Sequence, residues 1–99
     1  MTPEEFRTAA HALVDWVADY RLRVPELPVQ STVRPGEVRA GLPASAPETP
    51  QPLSDLIQAL DEVVVPGLTL TQSPGFYGWF PSNASLASVL GDYVSSGLG

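Results

Sequence analysis

The residues best suited to contact an organic ligand lie in one stretch, TQSPGFYGWFPSNAS, residues 71–85. It holds four of the chain's eight aromatic side chains, namely Phe76, Tyr77, Trp79 and Phe80, among two Pro and two Gly. These interruptions exclude a long helix, and a solvated loop would not need so many rings. Because ring faces and edges pack well against other rings, the stretch indicates either a ligand-binding surface or part of a core.

The chain has few side chains for covalent or metal chemistry. It contains no Cys and one His, so it has no thiol nucleophile and no cluster of His and Cys metal ligands. Its five basic residues are all Arg, and without Lys these residues cannot form a Schiff base with a carbonyl cofactor. His11 lies off the apolar stripe of the first predicted helix, where a solvated side chain is expected. We therefore predict no catalytic residue, no cofactor-binding residue and no metal site within the chain.

Composition also restricts the partners and the location. A chain of 99 residues fits one small domain with a thin core. A net charge of −6 does not suit binding to nucleic acid or to an anionic membrane. No apolar run approaches the ~20 residues of a membrane span, and Glu4 and Glu5 stand where a secretory signal would be positive. We expect a cytoplasmic protein with no nucleic-acid or membrane partner.

Three helices are predicted to position the aromatic stretch. The first covers residues 2–24, because Thr2 and Glu5 form a capping box and Pro25 stops the helix. The second covers 53–65 and ends at Pro66 and Gly67. The third begins near Ser82 or Asn83, either of which can cap it. The apolar stripe of the first helix consists of Phe6, Ala10, Leu13, Val17, Tyr20 and Val24.

Residues 25–52 contain seven of the eleven prolines and little periodicity. Pro35 and Gly36 occupy the central positions of a predicted turn over 33–37. The segment is either a flexible linker or an ordered strap over the helices. We favour the strap, because apolar residues are spaced along it as anchors. These anchors are Val29, Val33, Val38 and Leu42. The predicted fold class is an all-α fragment of about three helices joined by this Pro-rich strap.

The helices have more apolar surface than so short a chain can cover. A symmetric dimer, in which helices of two copies pack together, is the commonest solution. The last residues, VSSGLG at 94–99, contain no charged side chain. We therefore expect the third helix to be cut off and the chain to be a piece of something larger.

Three segments together resemble the group II pyridoxal-phosphate-dependent decarboxylases, which include aromatic-L-amino-acid decarboxylase. The opening, EEFRTAAHALVDWVADY (4–20), is similar to the start of that family. The segment VRPGEVRAGLPASAPETP (33–50) resembles its Val-x-Pro-Gly-x-Leu-Arg…Leu-Pro…Ala-Pro pattern. The third segment, VVVPGLTLTQSPGFYGWFPSNAS (63–85), resembles its Pro-Gly-x-Thr…Ser-Pro-x-Phe…Phe-Pro block. The order and spacing agree over essentially the whole chain.

The resemblance implies a role in a larger enzyme. Family members are obligate dimers with the type I pyridoxal-phosphate α/β fold, and their N-terminal helical flap lies over the partner subunit. Residues 1–82 would be this flap and dimerisation segment, and 83–99 the start of the helix entering the large cofactor domain. The parent would be a lyase that removes the α-carboxylate of an amino acid as CO2. Pyridoxal phosphate would be bound by residues outside this chain, so the fragment alone should be inactive.

The resemblance also assigns substrate-binding residues. The matching stretch of the family lines the substrate pocket, which implies that Trp79, Phe80, Pro81 and Ser82 are pocket residues here. Ser82 would either hydrogen-bond the substrate or cap the third helix. For Phe76 and Tyr77 we favour core packing against the first helix.

The chain departs from the family pattern at several positions. Thr71 and Gln72 stand where many aromatic-amino-acid decarboxylases have Trp and His, which weakens the inference of an aromatic substrate. Trp79 replaces a common Tyr, and Ser82 a frequent Thr. Two alternatives stay open. In the first alternative, the parent is an aldehyde synthase of the same family. In the second, the chain is a stand-alone helical interaction module.

Overall fold

A computed structural model describes residues 1–80 and 84–99. Four α-helices follow one another: α1 (Pro3–Arg23), α2 (Glu37–Gly41), α3 (Leu53–Ala59) and α4 (Leu86–Leu98). The described residues contain no β-strand, which confirms the predicted all-α fragment. Over the same ranges, no helix combines the length and apolar character needed to cross a membrane.

Helix α1 begins with the predicted capping box. The backbone N–H of Glu5 donates to Thr2 Oγ1 at 3.1 Å, and the N–H of Thr2 donates to Glu5 Oε2 at 2.6 Å. Two otherwise unpaired donors at the start of the helix are thereby satisfied. The helix ends at Arg23, and a 3-10 turn over Val24–Glu26 follows because Pro25 cannot donate to a further helical hydrogen bond.

The second predicted helix has the expected extent but an irregular second half. Helix α3 gives way to a π-helical turn over Leu60–Val64 and then to a 3-10 turn over Val65–Gly67. The prediction of one regular helix over 53–65 is therefore wrong beyond residue 59. The physical reason lies in the sequence, where three successive β-branched valines are followed by Pro66, which lacks a backbone donor.

The strap contains the predicted turn and a short helix that the sequence pattern did not reveal. The N–H of Glu37 donates to the carbonyl of Arg34 at 3.1 Å, which closes the turn around Pro35 and Gly36. Gly36 has φ of 91°, the value that the third position of a type II turn requires and glycine adopts without strain. Helix α2 starts directly after this turn.

Two reciprocal Gly–Val contacts hold α2 against the end of the second helical segment. A Cβ atom on Gly67 would lie 2.5 Å from Val38 Cγ2, and one on Gly41 would lie 2.9 Å from Val63 Cγ1. Each glycine thus leaves the space that a valine of the other element fills. These contacts confirm an ordered strap through Gly41. Residues 42–52 are exposed, so the predicted anchor Leu42 does not hold them down.

Helix α4 begins later than predicted. Ser85 is its N-cap, because Ser85 Oγ accepts the N–H of Ser88 at 3.1 Å. The Ser88 hydroxyl donates back to the carbonyl of Ser85 at 2.8 Å. Residues 84 and 85 are not helical, so a start near Ser82 or Asn83 is wrong. Those two residues, and the predicted boundary between 82 and 83, lie outside the described residues.

The chain has almost no core of its own. Among the described residues only Val24, Leu70 and Ser73 are buried. The accessible surface is 7912 Å², whereas a compact monomer of this mass would expose about 5,400 Å². The surplus confirms the expectation that the helices have more apolar surface than the chain can cover.

One ion pair joins the end of α1 to the π-helical turn. Arg23 Nη2 donates to Asp61 Oδ1 at 2.7 Å, with both side chains partly exposed. The hydrogen bond from Arg23 lowers the pKa of Asp61 below its ordinary value of 3.8, and partial desolvation opposes that effect. The buried indole N–H of Trp16 lowers this pKa further without meeting hydrogen-bond geometry.

The Arg23–Asp61 pair predicts a pH dependence of stability. Because the folded chain lowers the pKa of Asp61, the stabilisation is fully present above the ordinary pKa and is lost as the pH falls from there through the lowered pKa of the folded chain. At pH 7, Asp61→Asn should lower the free energy of unfolding by less than about 1 kcal/mol, since solvent screens the pair. Urea unfolding at pH 7 and pH 3 should show this difference shrinking at the lower pH. Asp15→Asn, at an exposed carboxylate of α1, is the matched control, and equal behaviour of the two variants would contradict the assignment.

Candidate functional site

The aromatic stretch is held in shape by consecutive turns centred on Ser73. The N–H of Ser73 donates to the carbonyl of Leu70 at 3.0 Å, and the N–H of Phe76 donates to the carbonyl of Ser73 at 3.0 Å. The Ser73 hydroxyl accepts the N–H of Gly75 at 3.2 Å. Leu70 and Ser73 are both buried, so the turns rest on the small core of the chain. Residues 70–76 are thereby ordered without a helix or a strand.

The four rings of the stretch divide into a packed pair and an exposed pair. Phe76 meets Trp79 edge to face, with ring centroids 4.8 Å apart and an interplanar angle of 83°. Gly78 permits this arrangement, because a Cβ atom there would lie 3.0 Å from Phe76 Cζ. Among the described residues, Tyr77 and Phe80 have no such ring neighbour, and Tyr77 is 91% exposed and Phe80 fully exposed.

Two of the four predicted pocket residues lie in the described part of the chain. Trp79 is 64% exposed and Phe80 is fully exposed, so both rings are available to a ligand or to another part of a larger protein. Pro81 and Ser82 lie outside the described residues. The predicted core packing is wrong for Tyr77, and Phe76 is half-buried against Trp79.

A separate apolar groove lies between α1 and α4. It has a volume of about 600 Å³. Its lining consists of aliphatic, Phe and Met side chains and the ring of Tyr93. Phe6 of α1 and Tyr93 of α4 stack across it, with centroids 6.2 Å apart and planes 13° apart. The lining from α1 contains the first four members of the predicted stripe, so this part of the stripe faces open space, whereas Val24, its last member, is buried.

The described residues do not supply the chemistry of a reaction centre. They contain no group of three or more His, Cys, Asp or Glu placed to hold a metal ion. His11 is exposed on α1, away from the aromatic stretch. The sequence has no Lys, so these 99 residues do not fit the covalent attachment of pyridoxal phosphate.

Sequence reasoning missed two residues that order the site. Ser73 was treated only as part of a motif, although a Ser directly before Pro-Gly is a turn signal. Val29 of the strap also reaches the stretch, because its carbonyl accepts the N–H of Leu70 at 2.8 Å. No local pattern predicts a contact between residues this far apart in the chain.

Comparisons with known proteins find related sequences over nearly the whole chain. Residues 35–99 match the pyridoxal-dependent decarboxylase conserved domain. Tyrosine decarboxylase 4 of Petroselinum crispum is 43% identical over 98 residues, which are 99% of this chain and 19% of that protein. Phenylacetaldehyde synthase of Petunia hybrida is 42% identical over 98 residues, again 19% of its length.

A solved structure extends the likeness to the fold. The crystal structure of Catharanthus roseus tryptophan decarboxylase with L-tryptophan superposes with a TM-score of 0.89 at 42% identity. The match covers 99% of this chain and 21% of that one, so the chain spans about a fifth of the proteins it resembles. Since the domain match covers most of the chain and the helices, strap and aromatic turns superpose as well, the chain belongs to the pyridoxal-dependent decarboxylase family.

Proposed function

We propose that these residues form the N-terminal dimerisation and substrate-pocket-wall segment of a pyridoxal-phosphate-dependent amino-acid decarboxylase. The parent enzyme removes the α-carboxylate of its substrate as CO2 and leaves an amine. The observation that carries the proposal is the exposed Trp79–Phe80 pair on a rigid set of turns, in a chain 42% identical to a decarboxylase crystallised with L-tryptophan.

The proposed pocket wall consists of Trp79, Phe80, Pro81 and Ser82. The two exposed rings offer faces and edges to the side chain of an amino acid. Trp79 is already fixed on one side by Phe76, which lowers the entropy lost when a ligand packs on its other side. The parts assigned to Pro81 and Ser82 rest on the resemblance alone.

The proposed dimer interface includes the groove between α1 and α4. An apolar groove of about 600 Å³ beside so small a core is an unstable surface for an isolated monomer. A helix of a second copy would cover it with the same type of side chains. In the proposed enzyme, residues 1–82 act as the flap and residues 83–99 lead into the large cofactor domain. The enzyme as a whole is a cytoplasmic homodimer.

The segment has a defined share in the chemistry. Pyridoxal phosphate, when bound, supplies an electron sink for the departing carboxylate. The Lys that binds it must come from residues outside this chain, because no Lys is present here. The proposed contribution of this chain is to position the substrate side chain and to exclude water from one wall.

A second candidate is an aldehyde synthase of the same family. The observation that favours it is the 42% identity to phenylacetaldehyde synthase, nearly equal to that of the decarboxylases. The two activities differ in product, so the product decides between them.

The experiment is to incubate the full-length protein with pyridoxal phosphate and a panel of amino acids, and to identify products by mass spectrometry. An amine with CO2 supports the decarboxylase and names its substrate. An aldehyde supports the synthase. No product from any amino acid would contradict both and favour the stand-alone helical interaction module.

The pocket-wall proposal predicts a kinetic effect of Phe80→Ala in the full-length enzyme. Loss of the exposed ring should raise KM or lower kcat by about tenfold, since truncating a buried aromatic contact costs at least 1–2 kcal/mol. The dimer should remain intact. Tyr77→Ala removes a neighbouring ring of equal exposure and should leave KM unchanged. Unchanged kinetics for Phe80→Ala would show that this ring does not line the pocket.

The interface proposal predicts that a charge in the groove weakens the dimer. Val14 lines the groove and is half-exposed. Val14→Glu should increase the dimer dissociation constant at least tenfold, because an unpaired carboxylate would be buried at the interface. Light scattering across a dilution series measures it. His11→Glu adds the same side chain off the groove and should leave the dimer unchanged, and equal dimerisation of the two variants would contradict the interface.

A further inference from the structure

The backbone of the strap holds the residues that directly precede the aromatic stretch. The carbonyl of Val29 accepts the N–H of Leu70 at 2.8 Å, and Leu70 is one of the few buried residues. Two residues later, the Ser31 hydroxyl donates to the carbonyl of Pro66 at 3.0 Å. Residues 66–70 are therefore tied to the strap at both ends.

The Val29 side chain of the strap also lies beside Gly75 of the stretch. A Cβ atom on Gly75 would lie 3.2 Å from Val29 Cγ2, closer than ordinary van der Waals contact. The φ angle of Gly75 is not positive, so any residue can adopt its backbone conformation. What the position requires is the absence of a side chain beside Val29.

The contact is connected to the exposed rings by a short series of interactions. Gly75 donates its N–H to the Ser73 hydroxyl, and Phe76 donates its N–H to the Ser73 carbonyl. The Phe76 ring then packs edge to face with the Trp79 ring, and the ring centroids are 4.8 Å apart. A displacement of Gly75 therefore moves Phe76 directly and Trp79 through ring packing.

We propose that Val29 and Gly75 are positioning residues for substrate binding, because their contact sets where the aromatic rings of the pocket wall lie. This inference rests on the proposed function, in which Trp79 and Phe80 contact the substrate. It assigns to the Pro-rich strap a part in specificity as well as in holding the helices.

The test compares Gly75→Ala, Val29→Ala and the double variant in the full-length holoenzyme. The added methyl group of Gly75→Ala must push the stretch or Val29 aside by a few tenths of an ångström. Such misplacement should raise KM about threefold to tenfold, since a shift of 1 Å costs up to about a hundredfold. A lost binding contact changes KM with little change in kcat. The double variant regains the space and should return KM to near that of Val29→Ala alone.

Gly41→Ala is the matched control. It creates the same kind of clash, 2.9 Å from Val63 Cγ1, but between the strap and the second helical segment. It should lower the melting temperature and leave KM within about twofold of wild type. An equal rise of KM in Gly41→Ala would show that the effect is general destabilisation, and it would overturn the inference.

Ser73 provides a second test should Gly75→Ala fail to give folded enzyme. Ser73→Ala removes the acceptor of the Gly75 N–H and should raise KM in the same way, whereas Ser73→Thr keeps the hydroxyl and should restore it. If the wild type is active and Gly75→Ala leaves KM unchanged, this inference is overturned and the proposed function is not. The same holds for an unchanged KM in Ser73→Ala where that variant is used instead. A wild type that yields no product from any amino acid overturns the proposed function, and this inference with it.

Discussion

The arrangement of the chain depends on apolar helix surface that its own residues do not cover. Helix α1 directs the first four residues of its stripe into a groove shared with α4, and only three of the described residues are buried. In water such a surface favours association, because each Å² removed from solvent contributes roughly 25 cal/mol. The long helices are therefore suited to pack against another chain or another domain. The relatives that the chain matches are about five times as long.

What internal order the chain has comes from small residues and turns. Gly41 and Gly67 allow the strap to interlock with the second helical segment, and Gly75 allows it to approach the aromatic stretch. Ser73 and Leu70 close the turns that follow. These contacts are short in range and few in number, yet they convert a stretch rich in Pro and Gly into a fixed support for exposed rings.

The parts of the fold with a local cause were predictable. The capping box of Thr2 and Glu5 and the turn at Gly36 follow from side-chain chemistry within a few residues. The start of α4 was not predictable, because Ser82, Asn83 and Ser85 are all good N-caps and only tertiary context selects among them. The π-helical turn over Leu60–Val64 was missed because the apolar pattern fits a regular helix there, although the valines and Pro66 that follow disfavour one.

The candidate site was only partly predictable. The exposed rings of Trp79 and Phe80 were singled out from their type, but their role comes from the resemblance. Tyr77 was predicted to pack in a core against the first helix, and it is exposed because the chain has so little core to offer. The contributions of Val29 and Ser73 depend on contacts between distant segments, which composition and periodicity do not encode.

Hydroxyl-radical footprinting of Phe6 and Tyr93 in the full-length protein tests the central claim most directly, because these two rings stack across the groove. Both rings are partly exposed in the isolated chain. If the groove is covered in the whole protein, both should be oxidised much more slowly than the same residues in an unfolded digest. Oxidation of both rings at the rate of the unfolded control would show that the groove stays open to solvent and would contradict the account.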